Sequence, residues 1–183
     1  MTINYDNSGR HLVLATDGAC LTNPGMGGWA VIIHEYYGDT VVSRSALAGH
    51  ADDDTTNNQM ELQAAIEAVK YAKALGLPAV ILTDSQYVQR GITEWMPNWK
   101  DNRWRTADRK PVKNRDLWQT LDDLAGNHPV TWRWVKAHSG ILINEQADQL
   151  AKDAAWRLVS TEEKLRFFHP KLFSETSPAD AAA

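Results

Sequence analysis

Residues 55–84, TTNNQMELQAAIEAVKYAKALGLPAVILTD, hold the chain's clearest helix and run from it into an apolar strand. Thr55, Thr56, Asn57 and Asn58 are good N-cap residues, and Gly76 is a natural helix stop. At about 100° per residue, Leu62, Ala65, Ile66, Ala68, Val69 and Ala72 share one broad arc, with Gln63, Glu67 and Lys70 opposite. PAVILTD then reads as a strand. Glu61 lies on the apolar arc, where an ionised carboxylate is costly unless a cation or donors surround it or it snorkels out past small alanines.

Outward from this unit, HLVLATDG (11–18) is an apolar run ending in a turn, and WAVIIHEYYG and TVVSRSALAG are two β-rich runs. Gly38 and Asp39 between them suit a tight hairpin, so these two runs should be antiparallel neighbours. The Gly-rich stretch 23–28 joins the first two strands. Downstream, SQYVQRGI reads as a short helix, NRDLWQTLDDLAG as a helix that Asn114 can cap, and HPVTWRWV as a last strand. NEQADQLAKDAAWRL is amphipathic, with Ala147, Leu150, Ala151, Ala154 and Leu158 on one side. Three strands followed by helix–strand units predict an α/β domain, a mixed sheet with helices packed on it.

The length, 183 residues, suits one core, and 43% hydrophobic with 23% charged residues is the balance of a folded chain. The expected unit is one domain over 1–158. Periodicity is lost in the tail, 159–183, which is expected to be frayed, with Phe167, Phe168, Leu172 and Phe173 docking on the domain or on a protein partner. A single cysteine, Cys20, excludes an intramolecular disulfide, and no Cys/His cluster has zinc spacing. Cys20 itself reads as a small packed residue. The polar start and the lack of a bilayer-length apolar run predict a cytoplasmic protein with no membrane role, and a monomer is expected. Net charge −4 and pI about 5.8 do not favour nucleic acid in bulk, so any basic surface must be local.

One strip supplies it. WKDNRWRTADRKPVKNR (99–115) sets Lys100, Arg103, Arg105, Arg109, Lys110, Lys113 and Arg115 against Asp101 and Asp108. Interleaved with Trp95, Trp99 and Trp104, these cations suit phosphate contacts with aromatic packing, or else a solvated segment pinned by its tryptophans. Trp118, Trp132 and Trp134 lie in regular elements and read as core. Four carboxylates stand apart: Asp17 as a turn former, Asp84 as a helix cap, Asp148 at the edge of an apolar stripe, and Glu61 facing a core. As a set they suit two divalent ions about 3.5 to 4 Å apart, since Mg²⁺ keeps waters and phosphate oxygens as its other ligands.

TDGAC, NPGxGG, TTNNxMEL, TDSQYV, the tryptophan-rich basic segment after GIT, KPVKNxDLW, WVKxHSG and NExAD follow in an order that resembles type 1 ribonuclease H, the bacterial ribonuclease HI group. The resemblance spans roughly Leu12 to Ala155. It implies the ribonuclease H-like fold, with a mixed five-stranded sheet and helices on both faces. It also implies an endonuclease cutting the RNA strand of RNA/DNA hybrids with little sequence specificity, giving 5′-phosphate and 3′-hydroxyl ends. Asp17, Glu61, Asp84 and Asp148 would bind two Mg²⁺ or Mn²⁺ ions, and His138 would transfer a proton or help product leave. Asn23, Asn57, Asn58 and Gln86 would meet 2′-hydroxyls and minor-groove edges, while Thr56 and Asn114 would grip a DNA-strand phosphate. Tyr87 and Trp95 would lie beside the DNA backbone, and Trp104, Lys110 and Lys113 belong to a basic handle. Ile141, Leu142 and Ile143 depart from the pattern, where a polar, Pro-containing loop is expected.

Overall fold

Strands β1 (Arg10–Cys20), β2 (Gly27–Tyr37) and β3 (Thr40–His50) form an antiparallel meander at the start of the chain. The hairpin between β2 and β3 turns on Gly38 and Asp39 as expected. Gly38 takes φ 57°, which suits glycine at the first central position of such a turn. Strands β4 (Ala79–Thr83) and β5 (Val130–Trp134) are parallel to β1, giving a five-stranded mixed sheet in the order β3-β2-β1-β4-β5. The computed structural model describes residues 9–157, so Leu158 and the whole 159–183 tail lie outside the described residues.

Successive strand residues point to opposite faces, and both faces are covered, which is why β1, β2 and β4 read as continuous apolar runs. Leu12, Leu14, Val31, Ile33 and Ile81 pack on one face against α1 (Asn57–Leu75) and against Trp118 and Leu121 of α4 (Arg115–Ala125). Val13, Ala15, Ala30, Ile32, Val80 and Leu82 meet Ala147, Leu150 and Ala151 of α5 (Leu142–Ala155) on the other. The expected arc of α1 is the buried one. Its N-terminus is fixed by Gln59, whose Oε1 accepts from the Thr56 backbone N–H at 2.9 Å and from the Thr56 hydroxyl at 3.0 Å.

Four local expectations need correction. The first strand does not turn at Asp17: it pairs with β2 as far as Cys20, with Asp17 opposite Ala30. The short helix α2 (Gln86–Arg90) does not end the helical path, because a π-helical turn, Gly91–Trp95, carries it into α3 (Met96–Asp101). Pro97 is tolerated there because the first turn needs no N–H from it. Asn114 occupies the N-cap position of α4 with φ 57°, yet its side chain does not cap; it donates to the Tyr87 hydroxyl at 3.2 Å. Trp134 is not core. It is 42% exposed at the end of an edge strand, beyond the helices that cover the sheet, with its indole N–H donating to the Asp84 carbonyl at 3.0 Å.

Candidate active site

Strands β1 and β4 lie side by side and parallel, and both bring a carboxylate to the same end of the sheet: Asp17 late in β1, Asp84 just past β4. The first turns of α1 cross over the end of β1. Gly18 permits this contact, because a Cβ there would sit 2.2 Å from the Glu61 backbone nitrogen. One carboxylate oxygen from each of Asp17, Glu61 and Asp84 lies within 4.8 Å of the others. Asp148, on the α5 face turned toward the same end, lines the same cavity of about 430 Å³.

Asp17, Glu61 and Asp84 are not performing their alternative local roles. Ser85 is the cap of α2, its hydroxyl oxygen accepting from the Val88 N–H at 3.3 Å, which leaves the Asp84 carboxylate free of that duty. Glu61 does not snorkel: it is 5% exposed, and its Oε2 is buried without a hydrogen-bond partner. Asp17 accepts a short bond from its neighbour, Gly18 N–H, at 2.7 Å. Burial, then the charges of Asp84 and Asp148, push the Asp17 carboxyl up to about 8. Burial and then Asp17 and Asp84 raise Glu61 well above the carboxylate range. Asp148 is paired with Lys152, one turn along α5, at 2.7 Å.

This is a good fit to divalent cations. The donors are hard oxygens without a His/Cys cage, and the orphaned Glu61 oxygen lacks the positive partner that a buried carboxylate requires. Asn144 supplies a brace that the sequence reading missed. It is 2% exposed on the first turn of α5, and its amide donates to Asp84 Oδ2 at 3.0 Å. The NExAD motif contained it, four residues before Asp148.

Around the cavity, the Asn23 side chain accepts from the Asn57 backbone N–H at 3.4 Å, and Asn57 lines the cavity itself. Thr56 and Asn58 flank Asn57 in the sequence, and Gln86 is exposed two residues after Asp84. On the α1 face, the Tyr87 hydroxyl accepts from Asn114 and from the Trp118 indole N–H at 3.0 Å, and its ring lies 6.0 Å from Trp95. The guanidinium of Arg90 sits 5.2 Å above the Trp95 ring. Tyr87, Trp95 and Asn114 are therefore brought together. Trp99 and Trp104 are half-buried against the core, the pinning alternative, whereas Lys110 and Lys113 are exposed and enter no ion pair among the described residues.

The RNase H family model matches residues 9–156. This chain belongs to the RNase H family. A Ribonuclease H of Jannaschia sp. (strain CCS1) is 52% identical over 143 residues, covering 77% of this chain and 88% of that protein. A Ribonuclease HI of Pseudomonas aeruginosa (strain PAO1) is 51% identical over 140 residues, covering 76% and 90%. The crystal structure of LC9-RNase H1, described as a type 1 RNase H with the type 2 active-site motif, matches with a TM-score of 0.74 at 28% identity, covering 96% of this chain and 91% of that one. Membership of the type 1 bacterial group carries the reaction with it: an endoribonuclease acting on the RNA strand of RNA/DNA hybrids.

For an RNase H, His138 sits apart from the carboxylates. It is exposed, with φ 49°, in the loop between β5 and α5, and it does not line the cavity. The unexpected apolar loop has a packing role: Ile141 and Ile143 are half-buried against the α5-side core while Leu142 stays exposed. Gly140 N–H donates to Glu145 Oε1 at 2.9 Å and ties the loop to the start of α5. Cys20 is half-buried at the cavity wall, as a small packed residue.

Proposed function

We propose that Asp17, Glu61, Asp84 and Asp148 hold two divalent cations, Mg²⁺ or Mn²⁺, and that the RNA strand is cut beside them to leave 5′-phosphate and 3′-hydroxyl ends. The observation that carries this reading is the buried three-carboxylate cluster with its unpartnered Glu61 oxygen. When bound, such ions supply charge neutralisation at the phosphate and a water acidic enough to lose its proton near neutral pH.

The protein's part is placement. Burial and mutual repulsion make Asp17 and Glu61 resist ionisation, so a divalent cation held between them would relieve that repulsion and favour their ionised forms. Asn144 fixes the orientation of the Asp84 carboxylate, and Lys152 pairs with the Asp148 carboxylate. His138, on its exposed loop, is assigned to proton transfer or product release at the cleavage point. Asn23, Asn57, Asn58 and Gln86 present amides that both donate and accept, suited to 2′-hydroxyls and minor-groove edges. Thr56 and Asn114 receive a DNA-strand phosphate, Tyr87 and Trp95 pack beside the DNA backbone, and Trp104, Lys110 and Lys113 form the handle. Most of these contacts address sugar and phosphate, and minor-groove edges carry only a degenerate code, which supports cleavage with little sequence preference.

End-labelled hybrid, RNA duplex and DNA duplex incubated with the protein in Mg²⁺ test the reading. Only the hybrid should be cut, and only in its RNA strand. Asp84→Asn should abolish cleavage with an unchanged circular dichroism spectrum; turnover by that variant would remove Asp84 from the site.

A further inference from the structure

Along α5, Asp148, Lys152 and residue 156 recur every four positions and so lie on one face. All three line the cavity that holds Asp17, Glu61 and Asp84. The third member is a tryptophan, 60% exposed, at the end of the helix. A large apolar ring left open to water inside a charged cavity is the informative kind of exposure. Its seat is held on both sides. The Trp156 backbone N–H donates to Lys152 O at 3.1 Å, and the next residue, Arg157, donates to the carbonyls of Ala51 and Asp52 at 3.3 and 3.5 Å.

We propose that Trp156 is a further substrate-contacting residue, its indole stacking on a nucleotide of the RNA strand to one side of the cleavage point. The inference rests on the carboxylate site being the place of cutting. Two helical turns separate Trp156 from Asp148, about 12 Å along the axis, or roughly three to four nucleotides of rise. The strand follows from position. Tyr87 and Trp95 occupy the α1 side of the sheet, whereas Trp156 belongs to α5 on the opposite side and shares one continuous cavity with the carboxylates. Lys152, between them, is free to leave Asp148 for a backbone phosphate once cations compete for that carboxylate. An aromatic face accepts any base, so the contact adds hold without sequence preference.

Fluorescence anisotropy of a labelled hybrid, titrated with Trp156→Ala, Trp156→Phe and unaltered protein in chelator, reads binding without cleavage. Steady-state cleavage in Mg²⁺ is measured in parallel. Trp156→Ala should weaken Kd and raise KM about tenfold while kcat changes less than twofold, and Trp156→Phe should recover most of the loss. An unchanged Kd and KM in Trp156→Ala would overturn the stacking contact, as would a loss that Trp156→Phe fails to restore. Failure of the unaltered protein to cut the hybrid would instead overturn the site reading.

Discussion

Asp17 and Glu61 are carboxyl groups folded into surroundings that resist their ionisation, which ties the stability of the metal-free protein to pH. In the unfolded chain Asp17 titrates near 3.8; folded, it is pushed up to about 8. Between those values the native state keeps a proton that the unfolded chain has released, so the stability from this group is complete below about pH 4 and is lost as pH rises toward 8. Glu61 adds to the same slope. The melting temperature in chelator should therefore fall between pH 5 and 8. Asp17→Asn removes one of the opposed charges and should raise the pH 8 melting temperature, by a few degrees if roughly 1 to 2 kcal/mol is recovered. Saturating Mg²⁺ should stabilise the unaltered protein and do little for the variant, since only ionised ligands reward the cation. A flat pH profile in chelator would show that the carboxyls are not held uncharged.

Between the elements, one hydroxyl of α2 takes two hydrogen bonds from the N-terminal end of α4. Tyr87 OH accepts from both Asn114 and Trp118, and Trp118 is fully buried. Tyr87→Phe leaves the buried indole N–H without an acceptor and should cost about 1 to 3 kcal/mol in a denaturant titration. It should also weaken hybrid binding by loosening Asn114; full stability in the variant would mean that water replaces the hydroxyl. Local pattern made several of these elements readable: the α1 arc, its Gly76 stop and the β2–β3 hairpin each depend on residues within a few positions of one another. Glu61 was conspicuous for the same reason. The meeting of Asp17 with Asp84 was not readable, because it depends on β1 pairing with β4 across more than sixty residues, and Asn144 mattered only once β4 had brought Asp84 to it. Trp134 was misread because alternation gives the face of a strand but not where the covering helices stop. The π-helical turn was not readable locally, because Gly91 lies so close to Trp118 of α4 that a Cβ would be 2.0 Å from its ring.

For the whole molecule, the charge distribution matters more than the total. A net charge of −4 opposes a polyanion, and the carboxylate cavity concentrates that opposition at the proposed point of cleavage. Attraction has to come from elsewhere, and the strip from Lys100 to Arg115 is the densest run of cations in the chain. Part of it is already engaged: Lys100 pairs with Asp122 at 2.8 Å, and Arg105 donates to the Arg109 carbonyl at 2.8 Å. Lys110 and Lys113 remain exposed, on a loop anchored by half-buried Trp104 and buried Val112, so their positions are set by the core and not by each other. Each phosphate contact contributes about 0.9 to the slope of log K against log salt on a B-form duplex. Replacing both lysines with alanine should thus weaken hybrid binding at low salt and reduce the magnitude of that slope by about 1 to 2, with both effects fading as salt rises. Because neither residue touches the carboxylates, saturating hybrid should restore kcat. A slope equal to that of the unaltered protein would mean that the strip does not meet phosphate, and the acidic chain would need another source of attraction.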